Sequence, residues 1–361
     1  MQTRAVAAGR PDGPGAPLNE PLVAASNFLL DGARAYARDD GTPTWAAFEA
    51  VVGALEGAEA VAFGSGMAAI AAVFDLLPVG AHIVWPDDCY QGVAGLIAQG
   101  VRLGRWRATR LAVQDTDAWC AAAASADLLW VESPSNPLLT VADLHRIAAA
   151  PRPAGSILAV DNTLAGPAAQ QPLELGADVS VQSATKHLGG HSDRCAGWPP
   201  PAGRNWRSSF ATTGSCTVPP PAHWRRTWPP GACAPTRCGR PHRRPRPSSW
   251  PTAWPVTTGS SSCATPGWPR TRPTTWPAAS WRTTAASSPS TWSVGGSGRC
   301  GVRPGGPVRH ATSFGAVEST IERRAAVPGQ EHLPPGLLRL SVGIEHVEDL
   351  WADLDEALGG P

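Results

Sequence analysis

The chain has 361 residues, 42% of them hydrophobic, and a formal net charge of +1 at pH 7. Such a length allows two or three domains with a sizeable core, so the chain can be an enzyme. It contains no apolar run long enough to span a bilayer and no short apolar signal core at its start, so a cytoplasmic protein without a membrane partner is expected.

The near-zero charge averages two unlike polymers. Residues 194–310 contain no Asp, Glu, Leu, Ile, Met, Lys or Tyr and are crowded with Arg, Pro, Trp, Ser and Thr, whereas the remainder is acidic. Six of the eight cysteines lie there (Cys195, Cys216, Cys233, Cys238, Cys263 and Cys300) without any C-x-x-C spacing. They read as incidental thiols, and no metal site is expected.

In chain order, residues 1–45 form an N-terminal arm, rich in Gly, Pro and Ala over its first twenty or so positions. The arm ends in a polar loop containing Tyr36 and Arg38, whose hydroxyl and paired N–H donors suit a phosphate. Thr44 is expected to cap a helix over residues 45–57. Residues 60–63 then read as a short buried strand, followed by the glycine turn Gly64-Ser65-Gly66-Met67 and a helix to about Leu77. The start of such a helix presents free N–H groups and a positive dipole end to an anion.

Three further apolar runs each end in polar residues. His82-Ile83-Val84-Trp85 leads to Asp87-Asp88-Cys89-Tyr90, Leu128-Leu129-Trp130-Val131 leads to Glu132-Ser133-Pro134-Ser135-Asn136-Pro137, and Ile157-Leu158-Ala159-Val160 leads to Asp161-Asn162-Thr163. A last β-like run, Ala177-Asp178-Val179-Ser180-Val181-Gln182, leads to Ser183-Ala184-Thr185-Lys186. Helical patterns lie between the runs, notably over residues 141–150. The alternation predicts an α/β domain over residues 46–193, with a mostly parallel sheet flanked by helices. Its functional edge is the carboxyl ends of the strands, which gathers Tyr90, Asn136, Asp161 and Lys186 on one rim.

Lys186 is the only lysine in the chain. An aromatic ring, an amide, a buried acid and a single lysine beside a phosphate cradle are what pyridoxal phosphate requires. The lysine forms a Schiff base with the aldehyde, and a carboxylate such as Asp161 pairs with the protonated ring nitrogen. Each residue also has an ordinary role: Asp161 as a helix cap, Tyr90 as half-buried core, Asn136 before Pro137 as a turn former. The combination carries the argument.

With the motifs Tyr36-Ala37-Arg38, Ser65-Gly66-Met67, Glu132-Ser133-Pro134-Ser135-Asn136-Pro137, Asp161-Asn162-Thr163 and Ser183-Ala184-Thr185-Lys186, the chain resembles the Cys/Met-metabolism class of pyridoxal phosphate enzymes. This class includes cystathionine γ-synthases and cystathionine γ-lyases. Near the C-terminus, Thr312-Ser313-Phe314-Gly315 and Leu338-Arg339-Leu340-Ser341-Val342-Gly343-Ile344-Glu345 fit the same pattern. The resemblance implies a fold type I, aminotransferase-like large domain, a smaller C-terminal α/β domain over residues 311–361, and a transsulfuration activity on cysteine-, homocysteine- or homoserine-derived amino acids. It implies that Lys186 carries the cofactor and shuttles protons, that Asp161 holds the ring nitrogen, and that Tyr90 stacks on the ring. Ser65, Gly66, Met67, Ser183 and Thr185 would bind the phosphate, joined by Tyr36 and Arg38 from a neighbouring subunit of a homotetramer built as a dimer of dimers. Arg339, with Asn136 and Ser313, would hold the substrate carboxylate. Two positions depart from the family pattern: Thr42 stands where an asparagine is usual, and Phe314 replaces a leucine.

The same resemblance would place Leu-rich helices and strands in residues 194–310, and a stretch without Leu or Ile cannot supply their core. A basic insert that binds nucleic acid and a separate tryptophan-rich domain are two readings of it. Out-of-frame translation of a GC-rich gene is the reading favoured here, so no nucleic-acid partner is expected. Back-translating residues 213–229 and reading one nucleotide early yields an amphipathic helical pattern with Leu, Glu and Tyr restored. A catalytically inactive, frame-damaged remnant is the alternative function that follows if the cell makes the stretch as written.

Overall fold

The computed structural model describes residues 2–192, 197–198, 283–284 and 306–357. Most of the anomalous stretch 194–310 therefore lies outside the described residues, as does Asp193. The described chain divides into two units: one holds residues 2–192, 197–198 and 314–316, the other 283–284, 306–313 and 317–357.

The first unit opens with a short helix α1 (Gln2–Ala7), a helical turn α2 (Ala37–Asp40) and the helix α3 (Pro43–Glu56). Thr42, not Thr44, caps α3: its hydroxyl accepts from the Trp45 N–H at 3.2 Å, with Pro43 inside the first turn. Proline favours that position because its fixed φ and missing N–H fit the first turn, and this sets the cap one residue before it. Thr44 instead ties the arm down, accepting from Val23 N–H at 2.9 Å and donating to the Pro21 carbonyl at 3.1 Å. Residues 60–63 do not form the expected strand; only an isolated bridge occurs, at Phe63.

The sheet follows as α4 (Gly66–Asp75), β1 (Ala81–Pro86), α5 (Gln91–Arg102), β2 (Trp106–Leu111), α6 (Thr116–Ala123), β3 (Leu128–Glu132), α7 (Leu144–Ala149), β4 (Ile157–Asp161), β5 (Val179–Ser183) and β6 (Gly197–Trp198). Its order is β2-β1-β3-β4-β5-β6, parallel except for β6. Strand β2 escaped the sequence reading because it is an edge strand with its middle residues exposed, so it has no apolar run to announce it. Helix α7 starts at Leu144, capped by Asp143, rather than at residue 141.

Strands β3 and β4 are buried along their whole length, which is why their sequences are continuous apolar runs. Alternation sends their side chains to two cores. Ile83, Leu128, Trp130, Ile157, Ala159, Val179 and Val181 pack in one cluster with α4 and α5, while Val84, Leu129, Val131, Leu158 and Val160 pack in the other with α6 and α7. Carried one step further along each strand, the period of two puts Glu132, Asp161 and Ser183 on the α4–α5 face. The apolar core thus becomes a polar site at the strand ends without a change of backbone.

In the second unit, β7 (Thr283–Thr284), β8 (Arg309–His310), β9 (Thr320–Arg323) and β10 (Leu338–Ser341) are ordered β7-β10-β9-β8, with α8 (Val347–Ala357) closing the described chain. Their core is small: Val308, Ile321, Leu350 and Leu354, with Leu338 and Leu340 against them. Val308 enters this core before residue 311, and its N–H is held by the Asp353 carboxylate at 3.0 Å.

Candidate active site

The strand ends of β4 and β5 are linked through one threonine. Asp161, 5% exposed, closes β4, and its carboxylate accepts from the Thr163 N–H at 3.0 Å. The Thr163 hydroxyl accepts in turn from the Ser183 N–H at 2.9 Å. Thr163 thereby fixes the acid against the turn that bears Lys186, where Lys186 N–H bonds back to Ser183 O at 3.0 Å and Gly190 N–H to Lys186 O at 2.8 Å. Burial pushes the Asp161 carboxyl up from its ordinary value, opposed by the Thr163 hydrogen bonds and the positive charge of Lys186. A buried carboxylate in this position is completed by a cation.

Opposite this turn stands the start of α4. Ser65 caps the helix through a 3.1 Å bond from Ala68 N–H, leaving the other N–H groups of the first turn facing the strand end. Gly66 packs closely there: a Cβ would lie 3.0 Å from Ser183 Cβ and 3.3 Å from Ser183 Oγ. The bare glycine lets the helix start and the Ser183 hydroxyl stand side by side, a donor set that suits a phosphate. Met67 packs on the edge of the core next to Tyr90. Tyr90 starts α5, and a Cβ at Gly92 would fall 2.6 Å from Tyr90 Cε1 and 2.7 Å from Met67 Sδ. Glycine at position 92 lets the phenol ring lie back over the helix.

Phe314 is buried against the lysine turn, with Lys186 Nζ 5.2 Å from its ring centroid and the His187 ring 6.0 Å away. The replacement of leucine by phenylalanine thus places an aromatic face beside the only lysine. Gly315, at φ +81°, sits so close to His187 that any side chain would meet its main-chain N at 2.9 Å.

Two loops beside Asp161 are cross-linked by acids that the sequence reading did not assign. Glu132 accepts from the Tyr90 N–H at 2.8 Å, and Asp88 accepts from the Leu138 N–H at 3.0 Å and from the Ser135 hydroxyl. Asn136 lies buried between cis Ser133-Pro134 and its own cis bond to Pro137. Burial drives the Glu132 carboxyl well above the carboxylate range, and the charge of Asp161 drives it further, while the Tyr90 N–H opposes both. Cys89 shares this surrounding: burial, then Glu132, Asp88 and Asp161, push its thiol far up, which makes it unreactive. The signal for these acids is their place one residue past, or two residues after, an apolar strand.

Tyr36 and Arg38 sit on the helical turn α2, with the guanidinium 5.2 Å from the Tyr36 ring centroid. Among the described residues, no hydrogen bond ties either of them to Gly66, Ser183 or Lys186. Thr185 is half-buried in the lysine turn.

In the second unit, Arg339 is 4% exposed and donates to the Ser313 carbonyl and to Glu322, both at 3.1 Å. Arg324 also bonds Glu322. Burial lowers the Arg339 guanidinium to about 10, and the repulsion from Arg324 outweighs the attraction of Glu322. Ser313 takes a left-handed φ of +79°, a strained setting for serine, and it offers Arg339 its carbonyl oxygen.

A parallel α/β sheet whose strand ends present a helix-start anion cradle, a buried aspartate and a lysine beyond the last parallel strand defines a pyridoxal phosphate-binding enzyme. The comparison with protein families agrees with the geometry: residues 2–223 match the model of the Cys/Met metabolism PLP-dependent enzymes. The chain belongs to that family. It is 36% identical to a cystathionine gamma-synthase of Mycobacterium bovis over 99% of this chain and 96% of that protein. It is 35% identical to a putative cystathionine gamma-lyase of Streptomyces coelicolor over 99% of this chain and 93% of that one. Among solved structures, metB from Corynebacterium glutamicum superposes with a TM-score of 0.74 at 26% identity, covering 99% of this chain and 97% of its own.

Proposed function

We propose that this chain is a transsulfuration enzyme of the cystathionine γ-synthase or γ-lyase type, acting on cysteine-, homocysteine- or homoserine-derived amino acids. The observation that carries the reading is the Asp161–Thr163–Ser183 chain of bonds, which locks a buried carboxylate to the turn of the only lysine. Pyridoxal phosphate, when bound, supplies an electron sink for charge developing on the substrate.

The residues divide the work. Lys186 Nζ would hold the cofactor and would move protons at the Cα, Cβ and Cγ atoms of the substrate. Asp161 would offer its carboxylate to the ring nitrogen. Tyr90 would cover the ring, and Ser65, Gly66, Met67, Ser183 and Thr185 would hold the phosphate. Arg339, assisted by Asn136 and Ser313, binds the substrate carboxylate; the surplus positive potential around the Arg324–Glu322–Arg339 group supports that role.

The reading extends to a homotetramer in the cytoplasm, in which Tyr36 and Arg38 reach a phosphate in a second copy. Leu29 and Leu30, 93% and 77% exposed a few residues before Tyr36, support a partner surface there. Among the described residues no helix is long and apolar enough to cross a membrane. In this reading the chain consists of an arm (1–45), a cofactor domain (46–193), an out-of-frame segment (194–310) and a C-terminal domain (311–361). The inactive-remnant alternative is not favoured, because the relatives match the chain along nearly its whole length.

The test is turnover of cystathionine, or its formation from cysteine and an activated homoserine ester. Activity should depend on added pyridoxal phosphate and fall on the order of 10³-fold in Lys186→Ala. Equal rates in that variant would remove the proposal.

A further inference from the structure

The two acids beside the site are arranged reciprocally. Asp88 belongs to the loop leaving β1 and bonds the loop leaving β3, through Leu138 N–H at 3.0 Å and the Ser135 hydroxyl. Glu132 ends β3 and bonds the β1 loop, through Tyr90 N–H at 2.8 Å. Each loop therefore lends the other a buried carboxylate, 9% and 4% exposed respectively. Glu132 is also the register partner of Asp161, and the Asn136 N–H is directed at its carboxyl.

The rest of the β3 loop is bonded within itself, apart from the Ser133 carbonyl, which accepts from Gln170 Nε2 at 2.8 Å. Ser135 N–H bonds Thr140 O at 2.9 Å, Thr140 N–H bonds Ser135 Oγ at 3.0 Å, and Ala142 N–H bonds Ser133 Oγ at 3.0 Å. A loop so bonded is stiff, and the hydrogen bonds that tie it to the loop of Tyr90 are those of the crossed acids. Hydrogen bonds from N–H groups to a buried acid are short-ranged and directional, which suits them to fixing a separation.

We propose that Asp88 and Glu132 form a crossed clamp that sets the separation of Tyr90 and Asn136, making both acids positioning residues for the reaction. The inference rests on the transsulfuration reading, since Tyr90 and Asn136 take their roles from it. Both acids act through the loops they hold. Their work is to hold an aromatic cover and a substrate-binding amide in a fixed relation while ligands enter.

Glu132→Gln keeps one acceptor oxygen for Tyr90 and turns the other into an NH2 group facing the Asn136 N–H. The expected result is a protein that still loads cofactor, with its KM for the amino-acid substrate raised about tenfold, kcat changed less, and the visible circular dichroism of the bound cofactor reduced as Tyr90 tilts. Asp88→Asn should shift KM and dichroism in the same direction. Unchanged KM and unchanged visible dichroism in a folded variant would overturn the clamp. If neither variant folds, hydrogen exchange on the wild-type holoenzyme decides: Tyr90 and Leu138 amides should exchange as slowly as those of β3, and fast exchange at both overturns it. A wild-type protein that takes up no cofactor would instead defeat the functional reading, while the same exchange measurement on the cofactor-free protein would still judge the clamp.

Discussion

In the sheet that carries Lys186, buried carboxylates are held by main-chain N–H groups: Asp161 by Thr163, Glu132 by Tyr90, Asp88 by Leu138. In the C-terminal unit Asp353 is likewise held by a main-chain N–H, that of Val308, but the half-buried Glu322 is held by two guanidiniums, those of Arg324 and Arg339. An acid fixed by N–H groups keeps its position, and a cation that arrives later, as beside Asp161, completes it. A group of two cations around one anion retains positive potential and invites a second carboxylate. The first arrangement suits a ring nitrogen and the second an amino-acid carboxylate.

The comparison breaks first at Asp161. Asp161→Asn keeps the acceptor for Thr163 but removes the charge, and kcat should fall at least about 100-fold with cofactor affinity weakened, read from rates and a cofactor titration. Arg339→Lys should behave the opposite way. Cofactor titration should be unchanged while substrate KM rises about tenfold, because a lysine cannot reproduce the paired geometry of the guanidinium.

A smaller effect separates fixed acids from strained ones. Glu56 ends α3, is 1% exposed, takes bonds from Gln182 Nε2 and Ser180 Oγ, and among the described residues has its second oxygen without a hydrogen-bond partner. Burial raises its carboxyl from 4.5 to about 7. The folded protein therefore holds this proton more tightly than the unfolded chain. The stabilisation is complete below about pH 4.5 and is lost as pH rises through 7. Glu56→Gln should match the wild type in urea unfolding near pH 4.5 and exceed it by on the order of 2 kcal/mol at pH 8.

The parallel strands were legible because β3 and β4 are buried on both faces and so are written as continuous apolar runs. The rim residues were legible for the same reason, since each polar residue that ends such a run falls at a strand's carboxyl end. Strand β2, with an exposed Arg-rich middle, carries no such signal. The choice between Thr42 and Thr44 as cap turned on Pro43, whose preference for the first helical turn outranks the hydroxyl alone. The crossed acids were not legible, because the partner of Glu132 lies 42 positions away and that of Asp88 lies 50 away, and only strand register brings them together. Residues 194–310 were legible only as an anomaly of composition, and resequencing the gene across codons 190 to 315 checks the frame reading.

With a single lysine in the chain, the central claim has a direct test. Reduce the cofactor-loaded protein with borohydride, digest it, and map the pyridoxyl mass by peptide mass spectrometry. The account predicts one labelled peptide, modified at Lys186, and none from the Lys186→Ala protein. Label found only at the N-terminal amine, or no label at all after loading, would contradict it.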